Sequence, residues 1–112
     1  MTQKQLAWAE QIKSDAIRNC ELLIDGNTAR YAETGHPVYS SAVSAAKVMR
    51  ALLIATFSAH DAAWIIDHRK KLADWQMIVD RWAELLQTGK ITVKQLAANN
   101  GLPDYEEDPD AR

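Results

Sequence analysis

The sequence predicts an all-α fold, a small helical bundle of three main helices with a short C-terminal helix and an acidic tail. Three observations lead to this prediction. Apolar residues recur at steps of three and four in each long segment, as they do on the inner face of a helix. Glycine and proline, which interrupt helices, are absent between Val38 and Leu86. No segment alternates polar and apolar residues over enough positions to indicate a strand.

The first helix is predicted to start at Thr2, because Thr2 and Gln5 have the spacing of a capping box. Its end is predicted at Asp25–Asn27, where Gly26 suits a left-handed C-cap. Between these points the apolar positions at helical spacing form one face. They are Leu6, Ala9, Ile12, Ala16, Cys20 and Leu23.

A connector with Gly35 and Pro37 follows, and the second helix is expected to be capped by Ser40 or Ser41. Its inner face is predicted from Ala42, Ala45, Met49, Leu52, Leu53 and Thr56. The stretch Ser58–Asp61 contains no glycine or proline, so the alternative is one continuous helix of nearly fifty residues that joins the second and third helices. We favour a break there, because helices of that length are rare in compact domains.

The third helix is predicted to run from about Asp61 to Gln87 and to stop at Gly89. A short fourth helix is predicted from Thr92 to Gly101. We expect one domain over residues 1–102 and a loosely attached tail over 103–112, because five of the last ten residues are acidic and two are proline.

The bulk composition narrows the function classes. The chain has 112 residues and a formal net charge of −2, whereas a domain that depends on nucleic-acid phosphates is usually clearly basic. The single cysteine, Cys20, lies in an apolar helical pattern and is expected in the core. One cysteine and an N-terminus without an apolar leader favour a cytoplasmic protein.

A heptad pattern in the third helix predicts a contact surface. Position 68 and the apolar positions after it alternate at steps of four and three, as do the a and d positions of a coiled coil. We expect this seam to be a protein interface between copies of the chain, because aromatic residues commonly anchor interfaces. The predicted interface residues are Leu72, Trp75, Val79, Trp82 and Leu86.

The alternative to a protein partner is nucleic acid. A compact basic run and one later arginine form a local patch, and tryptophans can stack on the bases of a single strand. The candidate residues are His68, Arg69, Lys70, Lys71 and Arg81. Acids at Asp74, Asp80 and Glu84 interrupt a longer basic track, so this hypothesis ranks second.

Enzymatic and metal-dependent functions are not predicted. His60 and His68 are eight residues apart, about 12 Å along a helix, whereas helical chelation needs ligands three or four apart. There is no glycine-rich phosphate loop and no nucleophile elbow. The paired acids of the tail lie in a proline-containing segment that cannot hold them in a fixed geometry. We therefore expect neither catalysis nor a cofactor.

Two segments resemble small helical proteins of phages and prophages. The match lies in Lys4, Gln5, Trp8, Ala9 and Ile12 of the first helix, and in Trp64, Asp67 and Arg69 of "AAWIIDHR". The group has no assigned enzymatic activity, so the resemblance implies an origin in a mobile element more than a mechanism, and it suggests packing of Trp8 against Trp64 in the core. It favours an accessory or anti-defence protein that blocks a host complex sterically. No membrane partner is expected, because the longest fully apolar stretch is far shorter than the roughly 20 residues of a membrane span.

Overall fold

The computed structural model describes residues 1–107, and the all-α prediction is confirmed: the described residues form helices and no strand. The helices are α1 (Gln3–Thr34), α2 (Pro37–Ala59), α3 (Ala62–Asp67), α4 (Arg69–Met77), α5 (Val79–Gln87) and α6 (Val93–Asn99). The longest dimension of the molecule is 48 Å. That is the length of α1 alone, 32 residues at a rise of about 1.5 Å each.

The start of α1 is confirmed and its predicted end is wrong. Thr2 caps the helix, since its hydroxyl accepts from the Gln5 amide while the Gln5 side chain accepts from the Thr2 amide. The helix continues through Gly26, where glycine costs about 1 kcal/mol relative to alanine, so one glycine does not end it. It ends at Gly35, which has the left-handed φ of 66° that a C-cap requires.

The start of α2 also differs from the prediction at Ser40 or Ser41. His36 is the N-cap, and its Nδ1 atom accepts a hydrogen bond from the Val38 amide at 3.2 Å. Pro37 occupies the first helical position, where its missing N–H removes no hydrogen bond and its fixed φ suits the helix. By length and composition α2 is apolar enough to cross a bilayer, a criterion that the core helix of a soluble protein also meets.

The core is built around α1 and α2, which share the most extensive helix–helix packing. Small side chains are buried on both helices, namely Ala9, Ala16 and Cys20 of α1 and Ala45 and Ala46 of α2. Larger side chains from all six helices complete the core. They are Ile24, Val48, Met49, Leu53, Ile65, Leu72, Val79, Trp82 and Leu96.

The predicted break at Ser58–Asp61 is confirmed. Helix α2 ends at Ala59, and α3 begins at Ala62 with Asp61 as its N-cap. The Asp61 carboxylate accepts from the Trp64 amide at 3.0 Å. The Ser58 hydroxyl instead donates to the Ile54 carbonyl of α2, so Ser58 belongs to the preceding helix.

The single third helix of the prediction is wrong, because the chain forms three segments with breaks at His68 and Ile78. Both residues keep backbone angles near the helical region, so the breaks are bends rather than loops. The bends redirect the chain: α3 and α4 pack against α1, whereas α5 packs against α2. A straight helix would contact only one of these partners along its length.

The predicted short C-terminal helix is confirmed as α6. Thr92 and Gln95 form a complete capping box, and Gly101 follows the helix with a φ of 81°. Beyond it, Tyr105 packs half-buried against the core, and the Ser44 hydroxyl donates to the Glu107 carboxylate at 2.7 Å. Of the predicted tail 103–112, the last five residues lie outside the described residues.

We expect the substitution Ala46→Leu to lower the free energy of unfolding by about 1–3 kcal/mol, because Ala46 of α2 is fully buried and extra methylenes overpack the core around it. Urea denaturation measures this change. The matched control is Ala55→Leu on an exposed position of the same helix, with an expected effect within about 0.5 kcal/mol. Equal effects of the two substitutions would contradict the tight packing of the core around α2.

Candidate functional site

Three aromatic rings stack where α2 passes into α3 and α4. The Trp64 indole lies between two imidazoles, 3.7 Å from the His60 ring and 4.0 Å from the His68 ring, with interplanar angles of 8° and 15°. The Nδ1 atom of His68 lies 2.8 Å from the Trp64 carbonyl oxygen. The stack therefore spans the break between α2 and α3 and the bend at His68.

The predicted basic patch is divided by this arrangement. His68 is half-buried against Trp64, whereas Lys70 and Lys71 are exposed on α4. Arg81 lies on α5 beyond the Ile78 bend, and its Nη1 atom is 3.6 Å from a Glu84 carboxylate oxygen. The five candidate cations therefore form no single phosphate track.

Arg69 is the exception, because it lies against an exposed tryptophan. Its guanidinium carbon is 5.0 Å from the centroid of the Trp8 ring, and its Nη1 donates to the Ile66 carbonyl at 2.7 Å. Trp8 is 46% exposed, so the expectation that it packs with Trp64 in the core is wrong. The Trp64 faces are instead occupied by the two histidines.

The predicted interface seam is largely used inside the chain. Leu72, Val79 and Trp82 are buried, and Trp82 retains only 7% exposure. Trp75 and Leu86 are half-buried and pack against the same core. This is a correction to the predicted interface: the heptad spacing identified residues that bury apolar surface, but three of the five do so within one chain.

An open apolar groove between α1 and α4 was not predicted. It has a volume of about 620 Å³ and is lined by Asn19, Leu22, Leu23, Ala73, Gln76 and Met77. We call it the α1/α4 groove. Met77 is 77% exposed and Leu22 is 58% exposed, and Ile78 beside them is partly exposed. The Asn19 amide donates to the Gln76 side-chain oxygen at 3.0 Å, which links the two helices at the groove.

One sequence signal for this groove was present. Leu22 and Leu23 are adjacent, and adjacent helical positions point about 100° apart, so both cannot lie at the centre of one inner face. The structure places Leu23 at the edge of the α1/α4 groove, with 39% exposure, rather than in the core.

Cys20 is buried at the α1–α2 contact, as predicted. Burial is the main cause that raises the pKa of its thiol from 9.0 to about 11; nearby Arg50 opposes the increase and Glu21 adds to it. The thiol is therefore protonated and shielded near neutral pH. Among the described residues no group of three histidine, cysteine or acidic side chains is placed to hold a metal ion.

No protein family, curated protein or solved structure matches this chain when its sequence and fold are compared with theirs. The function is therefore argued from the surface features of the chain itself.

Cys20 gives a testable pH dependence of stability. The folded pKa of about 11 exceeds the ordinary value of 9.0, so the stabilising contribution is complete below pH 9 and is lost as pH rises from 9 towards 11. We expect the free energy of unfolding to fall over this window, and to fall less in Cys20→Ala, which also controls for lysine and tyrosine titration. Equal slopes in the two proteins would contradict the raised pKa.

Proposed function

We propose that this protein is a non-enzymatic binding protein that acts by covering the surface of another protein, and that the α1/α4 groove is its contact surface. The observation that carries the proposal is the exposure of Leu22 and Met77 beside Leu23 and Ile78. Each exposed apolar side chain is unfavourable in water by roughly 25 cal/mol per Å². Adjoining exposed apolar residues typically mark an interaction site.

The groove takes the place of the heptad seam in this proposal. The apolar and aromatic residues of the seam predicted an interface, but Leu72, Val79 and Trp82 are buried in the core of the chain itself. Met77 and Ile78 precede Val79 in the chain, and the bend at Ile78 leaves them at the surface. Apolar surface in excess of the needs of the core thus remains in the same segment, on a different set of residues.

A second copy of the chain is the first partner we propose. In a two-fold dimer the same patch faces itself, so Met77 of one copy contacts the groove of the other and the reverse contact is made at the same time. An apolar centre with a polar rim is typical of such an interface.

The resemblance to phage proteins supports a more specific role, an anti-defence inhibitor that blocks a host complex sterically in the cytoplasm. A net charge of −2 suits a binder that competes for a basic surface, because complementary charge steers association. This part of the proposal rests on the resemblance and the charge, and the groove supplies the contact.

We expect Met77→Asp to weaken self-association at least tenfold, because a charge placed in an apolar contact is desolvated without a partner. Light scattering over a concentration series measures the change. Stability should stay within about 0.5 kcal/mol, since Met77 is 77% exposed in the free chain.

The matched control is Ile54→Asp, which places the same charge on α2 at a residue that is 50% exposed and outside the groove. It should leave association unchanged. A monomeric wild type at high concentration would exclude the second copy as the partner. Equal effects of the two substitutions would exclude the groove as the contact.

The anti-defence role is tested in cells. Expression of the protein in a host that carries a defence system should raise the plaquing efficiency of a sensitive phage, and Met77→Asp should abolish the increase while Ile54→Asp should not. If the protein raises the plaquing efficiency against no defence system in a broad panel, the anti-defence role is excluded. The association measurement then tests the binding proposal by itself.

A further inference from the structure

Trp8 is the most exposed of the four tryptophans, and two cationic side chains lie next to it. The Arg69 guanidinium lies 5.0 Å from the ring centroid. Lys4 lies one helical turn before Trp8 and lines a surface recess of about 360 Å³ together with Thr2, Gln5 and Trp8. We call Lys4, Trp8 and Arg69 the Trp8 site.

The charges at this site are available to a ligand. Within residues 1–107 the ion pairs are Lys13 with Glu10 and Arg81 with Glu84, so neither Lys4 nor Arg69 is neutralised by a described acid. The hydrogen bond from Arg69 to the Ile66 carbonyl uses one of the several N–H donors of the guanidinium and fixes its position.

We propose that the Trp8 site binds single-stranded nucleic acid, with a nucleobase stacked on the Trp8 indole and the flanking phosphates bound by Lys4 and Arg69. Every base has a π-face, so stacking on an exposed indole is tolerant of sequence. A duplex does not fit this chemistry, because its bases are stacked on one another.

The overall charge of −2 is compatible with a local site of this kind. Charges in solution are screened over about 8–10 Å at physiological salt, so the cations beside Trp8 decide the potential there. Glu10 is held by Lys13 at 2.6 Å. Asp15, two turns after Trp8, accepts from Gln11 and keeps a charge that repels phosphate. That acid limits the site to a few nucleotides.

The test is the titration of the full chain with an unstructured oligothymidylate, followed by tryptophan fluorescence and by the anisotropy of a labelled oligonucleotide. We expect quenching of fluorescence and binding that weakens with salt. Trp8→Ala should lower the affinity about tenfold, and Trp8→Phe should retain most of it, because phenylalanine still stacks. Thermal unfolding of each variant establishes that it is folded.

The cations are tested through the salt dependence. Lys4→Ala and Arg69→Ala should each reduce the slope of log affinity against log salt by about 0.7, the value for one phosphate of a single strand. The matched control is Lys94→Ala, which removes one exposed charge from α6, a helix that packs on α2 rather than on α1. It should change neither affinity nor slope.

Three results would overturn the proposal: no binding by the wild type at low salt, tighter binding of a duplex of the same sequence, or equal effects of Trp8→Phe and Trp8→Ala. If Trp8→Ala impairs a protein contact and no oligonucleotide binds, Trp8 anchors a protein and the nucleic-acid proposal is wrong.

Met77→Asp should leave oligonucleotide binding unchanged. Failure of the Trp8 site to bind nucleic acid is therefore distinguishable from failure of the α1/α4 groove as a protein contact.

Discussion

The packing of α1 against α2 is the contact on which the remaining structure depends. Ala9 and Ala16 of α1 and Ala45 and Ala46 of α2 are all buried. Two helices packed as a hairpin cannot enclose a core alone. Their outer flanks must be covered by the rest of the chain, α3 and α4 on α1, and α5 and α6 on α2.

This constraint explains why the segment after Asp61 is bent. One straight helix lies along one flank, but the apolar surfaces of both α1 and α2 need cover. The bends at His68 and Ile78 carry the chain from one flank to the other. The rings of His60 and His68 on the two faces of Trp64 stabilise the first bend. Leu72, Val79 and Trp82 consequently point into the core, although a straight helix would present them as one external seam.

Local signals in the sequence predicted what local interactions determine. The capping boxes at Thr2 and Thr92 and the break before Asp61 were predictable because each depends on residues three or four positions apart. The passage of α1 through Gly26 was not, because a cost of about 1 kcal/mol for one glycine does not by itself end a helix that is capped at Gly35. The exposure of Trp8 and Met77 was not predictable either, since it depends on where α4 begins and ends along α1.

The two exposed surfaces are separate but lie along the same pair of helices. Trp8 and Leu22 are fourteen residues apart on α1, about 21 Å at 1.5 Å per residue, and they lie within about 40° of each other around its axis. Arg69 and Met77 are the first and last residues of α4, about 12 Å apart along its axis, and Arg69 lies against Trp8 while Met77 lines the α1/α4 groove. A protein held at the α1/α4 groove and a strand held at Trp8 would therefore meet the same side of the molecule. Asp15 lies between the two contacts on α1, so its charge separates a phosphate-binding end of this side from an apolar end.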